Sequence, residues 1–293
     1  MSPSVAVVTD STAYLPRDEV VRLGITVVPL QVVVGGRALD DVVEIDGVGM
    51  NDALREWAPV TTSRPAPQRF ADAYDEAAAR GAVAVVSIHL SGEMSGTVEA
   101  ARVGAEDALI PVEVIDSRSI SMGLGFPVLA AAEAAARGAT PAEVTDAARR
   151  CIRSSRSFFY VDTLEYLRRG GRIGAAATLL GSALMIKPLL HIADGVIVPL
   201  EKVRTSARAI ARLEDLAVQA AGTGQVNIAV QHLAARSRAE ALAARLPRRL
   251  PGLGEVTVVE VGAVIGAHVG PGMLGLTVSP PSGSLTYLDV PTA

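Results

Sequence analysis

The stretch that decides the fold is Val5-Ala-Val-Val-Thr-Asp-Ser-Thr-Ala-Tyr-Leu-Pro16. Its apolar run from Val5 to Val8 is typical of a buried strand, and the polar DSTAYLP segment that follows is typical of a turn. The proline at position 16 then favours a short helix that ends at about Leu23. Because a buried strand followed at once by a helix is the repeating unit of α/β folds, this stretch predicts that fold class.

The same alternation of strands and helices continues through the first half of the chain. The predicted elements are a β-rich run over 26–34, a helix over 67–80, a strand over 82–88, a helix over 95–107, a strand over 112–115, an alanine-rich helix that ends near 137, and a helix that begins with the capping box of Thr140 and Glu143. This alternation predicts a largely parallel sheet with helices on both faces.

After Tyr160 the composition changes, which indicates a second domain. Glycines cluster at 170, 171 and 174, and the segment PLLHIADGVIVPL predicts a hairpin that turns at Asp194-Gly195. Helices are predicted near 205–220 and 236–246, and strands near 226–231, 255–261 and 274–278. We therefore predict two α/β domains: 1–160, with the largely parallel sheet, and 161–293, a smaller domain of mixed α/β structure.

Composition argues against several classes of function. The net charge of −4, with scattered lysines and arginines, provides no basic stripe for nucleic acid or anionic lipid. The single cysteine, Cys151, excludes an internal disulfide and fits a reducing cytoplasm. The N-terminus lacks a signal peptide pattern, and the apolar stretch over 173–186 is shorter than the roughly 20 residues of a membrane span. We expect a cytoplasmic protein without stable membrane insertion.

Motifs for nucleotides, serine hydrolysis and metals fail on spacing or on context. The segment from Gly270 to Gly275 matches GxGxxG, but a strand-like segment follows it where a dinucleotide site needs a helix. The sequence contains neither GxSxG nor GxxxxGK[ST]. The histidines at 89, 191, 232 and 268 lie too far apart for HxxxH or HExxH, so we expect no metal and no cofactor.

Three polar segments lie where α/β proteins often bind anions. Val60-Thr-Thr-Ser-Arg-Pro-Ala-Pro67 places three hydroxyl groups just before a predicted helix. The segment IHLSGEMSGT, residues 88–97, leads from a buried strand into a helix, and the loop 116–125 follows the next strand. We expect both loops at the same edge of the sheet. Helix capping and turn formation are the alternative explanations of these segments, and the residues alone leave both interpretations open.

Two further residues have both a structural and a functional interpretation. His268 is a titratable ring in the apolar, glycine-rich segment 262–270, which we predict to be a loop. Arg204 directly precedes a helix that Thr205 is expected to cap, where it either extends an anion site or lies in solvent.

Taken together, these segments resemble the DegV family along essentially the whole chain. The likeness rests on VVTDST, TTSRP, SIHLSGEMSGT, DSRSISMGLGF, LEYLRRGGRI, MIKPLL, KVRT and VIGAHVGPGMLG, in the family's order. The resemblance implies a two-domain fold that holds a long-chain fatty acid in a tunnel near the domain interface. It also implies a carrier without its own catalysis, which presents the carboxylate to a separate fatty acid kinase for acyl-phosphate formation and phospholipid synthesis.

The resemblance also implies roles for individual residues. Thr62 in TTSRP and Ser95 in SGEMSGT, together with the neighbouring Gly96, are similar to the residues that bind the carboxylate. His268 in GAHVGPG resembles the histidine near the head group. Arg204 in KVRT resembles the arginine linked to phosphoryl transfer or to kinase engagement.

Two other classes of function stay open from the sequence. An acyl hydrolase or transferase would use Ser95 as nucleophile and His268 as base, although a nucleophile elbow and a third triad member are missing. A lipid-sensing regulatory module would bind a fatty acid without a kinase. Arg64 stands where family members often carry glutamine, and the sequence does not determine its effect on the fatty-acid head group. It also does not determine the chain length, unsaturation or branching of the fatty acid, or the oligomeric state of the protein.

Overall fold

The computed structural model describes residues 4–34, 36–41, 60–179 and 186–281. Part of the apolar stretch 173–186, namely 180–185 with Met185 of MIKPLL, lies outside these ranges. The strands, β1 to β13 in chain order, are Ser4–Asp10, Thr26–Val28, Gln31–Val34, Arg37–Asp40, Val60–Ser63, Ala82–His89, Val112–Asp116, Arg156–Tyr160, Lys187–Ala193, Val196–Val203, Val226–His232, Leu253–Glu260 and Leu274–Ser279. The α-helices, α1 to α9, are Arg17–Leu23, Pro67–Ala79, Thr97–Gly104, Met122–Ala136, Pro141–Ser154, Glu165–Arg169, Ser206–Ala221, Arg236–Ala243 and Ala263–Val269.

The first sheet has four parallel strands in the order β2-β1-β6-β7. Side chains of neighbouring residues point to opposite faces, so Val8 packs with Phe70 of α2 while Val7 packs with Leu124 and Val128 of α4. The strand is therefore buried on both sides, which explains its unbroken apolar run. The predicted parallel sheet with helices on both faces is confirmed.

The second sheet has six strands in the order β10-β9-β8-β13-β11-β12, and of these pairs only β11 with β12 is parallel. The hairpin of β9 and β10 turns at Asp194 and Gly195, as predicted, with both residues at positive φ (50° and 83°). Strand β8 precedes the boundary predicted at 160/161 but pairs inside this mixed sheet. The boundary itself stays a prediction.

A small antiparallel sheet, β4-β3-β5, corrects the prediction of one continuous β-rich run over 26–34. The run divides at Pro29 and Leu30, so that β2 joins the parallel sheet and β3 joins the small one. Proline has no amide hydrogen for a ladder, and the amide of Leu30 donates instead to Ser11 Oγ at 3.1 Å. The chain therefore changes sheets at this point and carries β3 towards the second domain.

One core connects the two large sheets. Leu90 and Leu124, from elements that follow strands of the parallel sheet, share a buried apolar cluster with Leu167 and Ile265, from helices that accompany the mixed sheet. The hydroxyl of Ser91 donates to the carbonyl oxygen of Gly195 at 2.7 Å, so the tip of the β9–β10 hairpin rests on the loop after β6. The mixed sheet thus covers the carboxyl edge of the parallel sheet.

No helix within the described ranges combines the length and the apolar character that crossing a bilayer requires.

Candidate functional site

A small cavity of about 60 Å³ lies at the covered edge of the parallel sheet. Its wall is mostly apolar. The side chains that line it come from the loops after β1, β6 and β7, from strand β5 and from helix α9, and they include Thr12, Leu90, Ser95, Ile120, Thr62 and His268. The structure therefore brings Thr62, Ser95 and His268 together, and it confirms that the loops after β6 and β7 meet at one edge. We call this space the first cavity.

Thr62 and His268 are in direct contact, with Oγ1 and Nε2 2.9 Å apart. Strand β5 pairs with β3, where Thr62 stands opposite the buried Val32. The predicted loop around His268 is wrong, because residues Ala263–Val269 form helix α9. The start of this helix is held by distant groups: the amide of Ala263 donates to Asp41 Oδ1 at 3.1 Å. Asp41 lies far from His268 in the sequence, so the residues around His268 could not indicate that Asp41 holds this helix.

Burial of the His268 ring and, to a lesser extent, the nearby positive charge of Arg172 together lower its pKa to about 4. The ring is therefore neutral at pH 7, with one proton on one of its two nitrogens. Its Nδ1 atom has no hydrogen-bond partner among the described residues. It lies against Gly170, where an added Cβ would stand 2.0 Å from Nδ1. The glycine of the LRRGG segment is required for the ring to fit.

The hydroxyl groups of the two candidate loops do not cap helices. Helix α3 begins after Gly96, and Ser95 Oγ lies 2.8 Å from Thr97 Oγ1 without making a cap hydrogen bond. Helix α2 begins at Pro67 after Ala66, again without a side-chain cap. The capping interpretation is therefore wrong for Thr62 and Ser95, and both hydroxyl-bearing side chains line the first cavity instead.

Two arginines, both exposed to solvent, also line the first cavity. Arg64 packs against Gly96, where an added Cβ would lie 2.3 Å from its Nη1 atom. Arg172 donates through Nε to the carbonyl oxygen of Met94 at 3.1 Å and through Nη1 to that of Gly170 at 2.7 Å. No ion pair involves either arginine in the described part of the chain. Two unneutralised cations beside hydroxyl groups create a site that attracts an anion.

Sequence reasoning did not assign Arg172 a role. The residue belongs to the segment LEYLRRGGRI, but no local pattern places that segment beside His268. The only signal available was an arginine directly after a pair of glycines, a pattern that is common in turns.

Arg204 is not brought to the first cavity. Its side chain is exposed and follows the last residue of β10, whereas Ile197 near the start of the same strand lines the cavity. At about 3.3 Å per residue, the strand separates Arg204 from Ile197 by roughly 20 Å. Its predicted role in phosphoryl transfer or kinase engagement stays a prediction.

A second cavity, of about 30 Å³, adjoins the first. The two share Ile120, Ile265 and Val269 as a common wall. Together they are far smaller than the 300–1,000 Å³ that is typical of ligand pockets. A long ligand therefore fits only if these shared side chains move apart. Two larger grooves, of about 740 and 780 Å³, contain none of Thr62, Ser95 and His268.

Outside the first cavity, a buried serine, histidine and aspartate are connected by hydrogen bonds in the same sequence as a catalytic triad. Ser87 Oγ lies 2.7 Å from His89 Nε2, and His89 Nδ1 lies 3.1 Å from Asp10 Oδ2. All three side chains are completely buried, and none lines the first cavity. Asp10 also accepts from the amides of Thr12 and Leu90, both at 3.0 Å. The network therefore holds two loops of the first cavity in place.

The hydrolase alternative lacks its central contact. The hydrogen bonds of Ser95 Oγ and of His268 Nε2 in the described structure run to Thr97 and to Thr62, so Ser95 and His268 are not paired as nucleophile and base. Across the same ranges, no three side chains of His, Cys, Asp or Glu converge where a metal ion could bind.

Known proteins match this chain over nearly its full length. The model of the DegV family, described as "Uncharacterised protein, DegV family", matches residues 4–281. The DegV domain-containing protein SCO2569 of Streptomyces coelicolor is 57% identical over 279 residues, which cover 95% of this chain and 99% of that protein.

Solved structures agree with the fold. A DegV family protein from Thermus thermophilus, for which fatty acid binding is described, superimposes with a TM-score of 0.90 at 35% identity and covers 94% of this chain and 99% of its own. DegV of Bacillus subtilis, a fatty acid binding protein, superimposes with a TM-score of 0.86 at 34% identity, and the match covers 95% of this chain and 99% of that one.

Proposed function

This chain belongs to the DegV family, and from that premise we propose that it binds one long-chain fatty acid, with the carboxylate at Thr62 and Ser95. The observation that carries the proposal is the wall of the first cavity, where these two hydroxyl-bearing residues, His268 and two arginines lie beside a mostly apolar lining. An acyl chain would extend from them into the apolar interior between the two large sheets.

The acyl chain supplies the affinity. Burial of about fifteen methylene groups contributes on the order of 12 kcal/mol, at roughly 0.8 kcal/mol each, before the entropy lost on association is subtracted. Since the two cavities are small, this burial requires Ile120, Ile265 and Val269 to make room for the chain. The shared wall is apolar, so the chain replaces one apolar contact with another.

The head group needs hydrogen-bond donors, because a carboxylate that enters the protein loses its hydration. A neutral His268 that donates from Nε2 to Thr62 Oγ1 leaves the threonine hydroxyl proton free to donate to the carboxylate. Ser95 supplies a second hydroxyl. The side chains of Arg64 and Arg172 lie at the same cavity. Their positive charges favour the ionised form of the carboxylate without a direct ion pair.

The bound fatty acid would then be phosphorylated by a partner protein. A separate fatty acid kinase would transfer a phosphoryl group from ATP to a carboxylate oxygen, which releases ADP and leaves an acyl phosphate for phospholipid synthesis. Arg64 and Arg172 would stabilise the added negative charge. Arg204 lies too far along β10 to reach the head group in the present arrangement, so contact with the kinase suits its exposed position better. This protein would then act in the cytoplasm as a carrier.

The decisive experiment is denaturing extraction of the purified protein followed by mass spectrometry. One fatty acid per chain is expected, and its mass identifies the chain length and unsaturation. Protein that carries no fatty acid and takes up none from a defined mixture would overturn the proposal. Uptake without acyl-phosphate formation by any fatty acid kinase would retain binding and replace the carrier role with lipid sensing.

A further inference from the structure

The second cavity contains a buried hydroxyl group without a partner. Ser121 is 3% exposed, and its Oγ makes no hydrogen bond with any described residue. Buried hydroxyls without a partner are uncommon in folded proteins. Ser121 also has a φ of +52°, which residues with a Cβ seldom adopt, and its side chain does not cap helix α4, which it precedes. Ser121 therefore holds an unfavourable backbone conformation, and its hydroxyl lies beside the cavity without a hydrogen bond to any described residue of the protein.

A second polar side chain, that of Gln231, lines the same cavity from strand β11. Its Nε2 donates to Thr277 Oγ1 at 2.7 Å and to the carbonyl oxygen of Ala229 at 3.5 Å. Its Oε1 accepts no hydrogen bond from the described residues. The residue is 6% exposed and lies on a strand that pairs on both sides, with β13 and with β12. The second cavity thus offers one hydroxyl that can donate or accept, and one carbonyl oxygen that can accept.

The position of this cavity relates it to the proposed ligand. It adjoins the first cavity across Ile120, Ile265 and Val269, so an acyl chain that begins at Thr62 reaches it beyond these side chains. Its volume of about 30 Å³ exceeds the roughly 10–15 Å³ of free space that a group the size of one water molecule needs. A single oxygen substituent on the chain matches that space and that chemistry.

We propose that Ser121 and Gln231 bind an oxygen substituent in the middle of the acyl chain, so that the protein prefers a mid-chain hydroxylated fatty acid to the unsubstituted acid. The inference rests on the proposed function and deepens it. A ligand hydroxyl accepts from Ser121 Oγ and donates to Gln231 Oε1, which pairs both groups. An unsubstituted chain leaves both unpaired in an apolar surrounding.

The test compares stearic acid with hydroxystearic acids whose hydroxyl lies near the head, in the middle or near the methyl end. Each competes with a fluorescent fatty acid for the delipidated full-length protein. A mid-chain isomer is expected to bind about tenfold more tightly than stearic acid, which corresponds to one or two buried hydrogen bonds, and the isomers substituted near either end should show no gain.

Two variants assign the preference to the site. Ser121→Ala should remove the tenfold preference and leave the affinity for stearic acid unchanged. Ser119→Ala is the matched control, because this hydroxyl lines the neighbouring groove and not the second cavity. Gln231→Met, which keeps the approximate size and removes the carbonyl oxygen, replaces Ser121→Ala if that variant does not fold.

The outcomes separate the two proposals. Tight and equal binding of stearic acid and of every isomer overturns this inference and leaves the proposed function intact. Failure of all the acids to bind removes the proposed function itself. A mid-chain preference that survives both Ser121→Ala and Gln231→Met shows that the oxygen is bound elsewhere and also overturns the inference.

Discussion

Thr62 Oγ1 lies 2.9 Å from His268 Nε2, although the two residues are 206 positions apart in the chain. The contact joins strand β5 of the small antiparallel sheet to helix α9 of the second domain. One hydrogen bond therefore spans the interface at which the candidate head-group site forms. Any change that separates the two elements should alter ligand retention as well as stability.

Removal of both proposed carboxylate donors, in Thr62→Ala/Ser95→Ala, should weaken fatty acid retention by roughly 150-fold or more, since two hydrogen bonds to a charged group are lost. A fluorescent displacement assay measures the change, and circular dichroism checks the fold. Thr61→Ala is the control, because this exposed neighbour does not line the first cavity. Retention equal to that of the wild-type protein would remove both residues from the site.

Acid should destabilise the protein through His268. Its folded pKa of about 4 lies below the ordinary value of 6.5, so between these values the unfolded chain takes up a proton that the folded chain excludes. The free energy of unfolding should therefore fall as pH decreases from about 6.5 to 4, by on the order of 3 kcal/mol for this group. Urea unfolding at several pH values should show a flatter profile for His268→Gln. An unchanged slope in that variant would contradict the assignment.

Asp41 should act in the opposite direction. Burial raises its pKa from 3.8 to about 6, so the folded state binds a proton more readily than the unfolded state between these values. Its contribution to stability is complete below about pH 4 and decreases as pH rises to about 6. We expect Asp41→Asn to compare more favourably with the wild-type protein at pH 8 than at pH 4, by on the order of 2 kcal/mol, in the same urea series. A pH-independent difference would argue against this account.

Gly170→Ala should disturb the site by steric overlap alone. Its added Cβ would overlap the His268 ring at 2.0 Å from Nδ1, so the ring must move away from Thr62. We expect a loss of about 2 kcal/mol in stability and roughly tenfold weaker retention of the fatty acid. The control is Gly171→Ala, at φ +69° with no atom within 4 Å, which should cost about 1 kcal/mol and leave retention unchanged. Equal retention in both variants would show that the His268 position does not matter.

Arg204→Ala should separate binding from phosphorylation. Because its side chain is exposed and outside the first cavity, fatty acid retention should match the wild-type protein. Acyl-phosphate formation with a fatty acid kinase and ATP should fall at least tenfold if the arginine contacts the kinase. Arg208→Ala, one turn into helix α7 and equally exposed, serves as control. Wild-type turnover of Arg204→Ala would remove the assignment, and the same assay on His268→Ala tests the head group.

Features that depend on neighbouring residues were predicted correctly. The alternation of Val7 and Val8 between two helical layers follows from the unbroken apolar run of β1. The turn at Asp194-Gly195 follows from two residues that tolerate positive φ. The capping box of Thr140 and Glu143 is present as predicted. In each case the physical cause lies within a few positions of the residue concerned.

By itself, the sequence determined the α/β class, the parallel sheet, the hairpin and the polar segments that carry Thr62 and Ser95. Only the tertiary structure decided that the run 26–34 serves two sheets, that Asp41 holds a helix under His268, and that Arg172 lies beside that ring. The reason is physical: strand pairing, helix capping and charge proximity at this site join residues far apart in the chain. Local sequence patterns indicate the secondary structure that each segment favours, whereas the site depends on which segments are in contact in the folded protein.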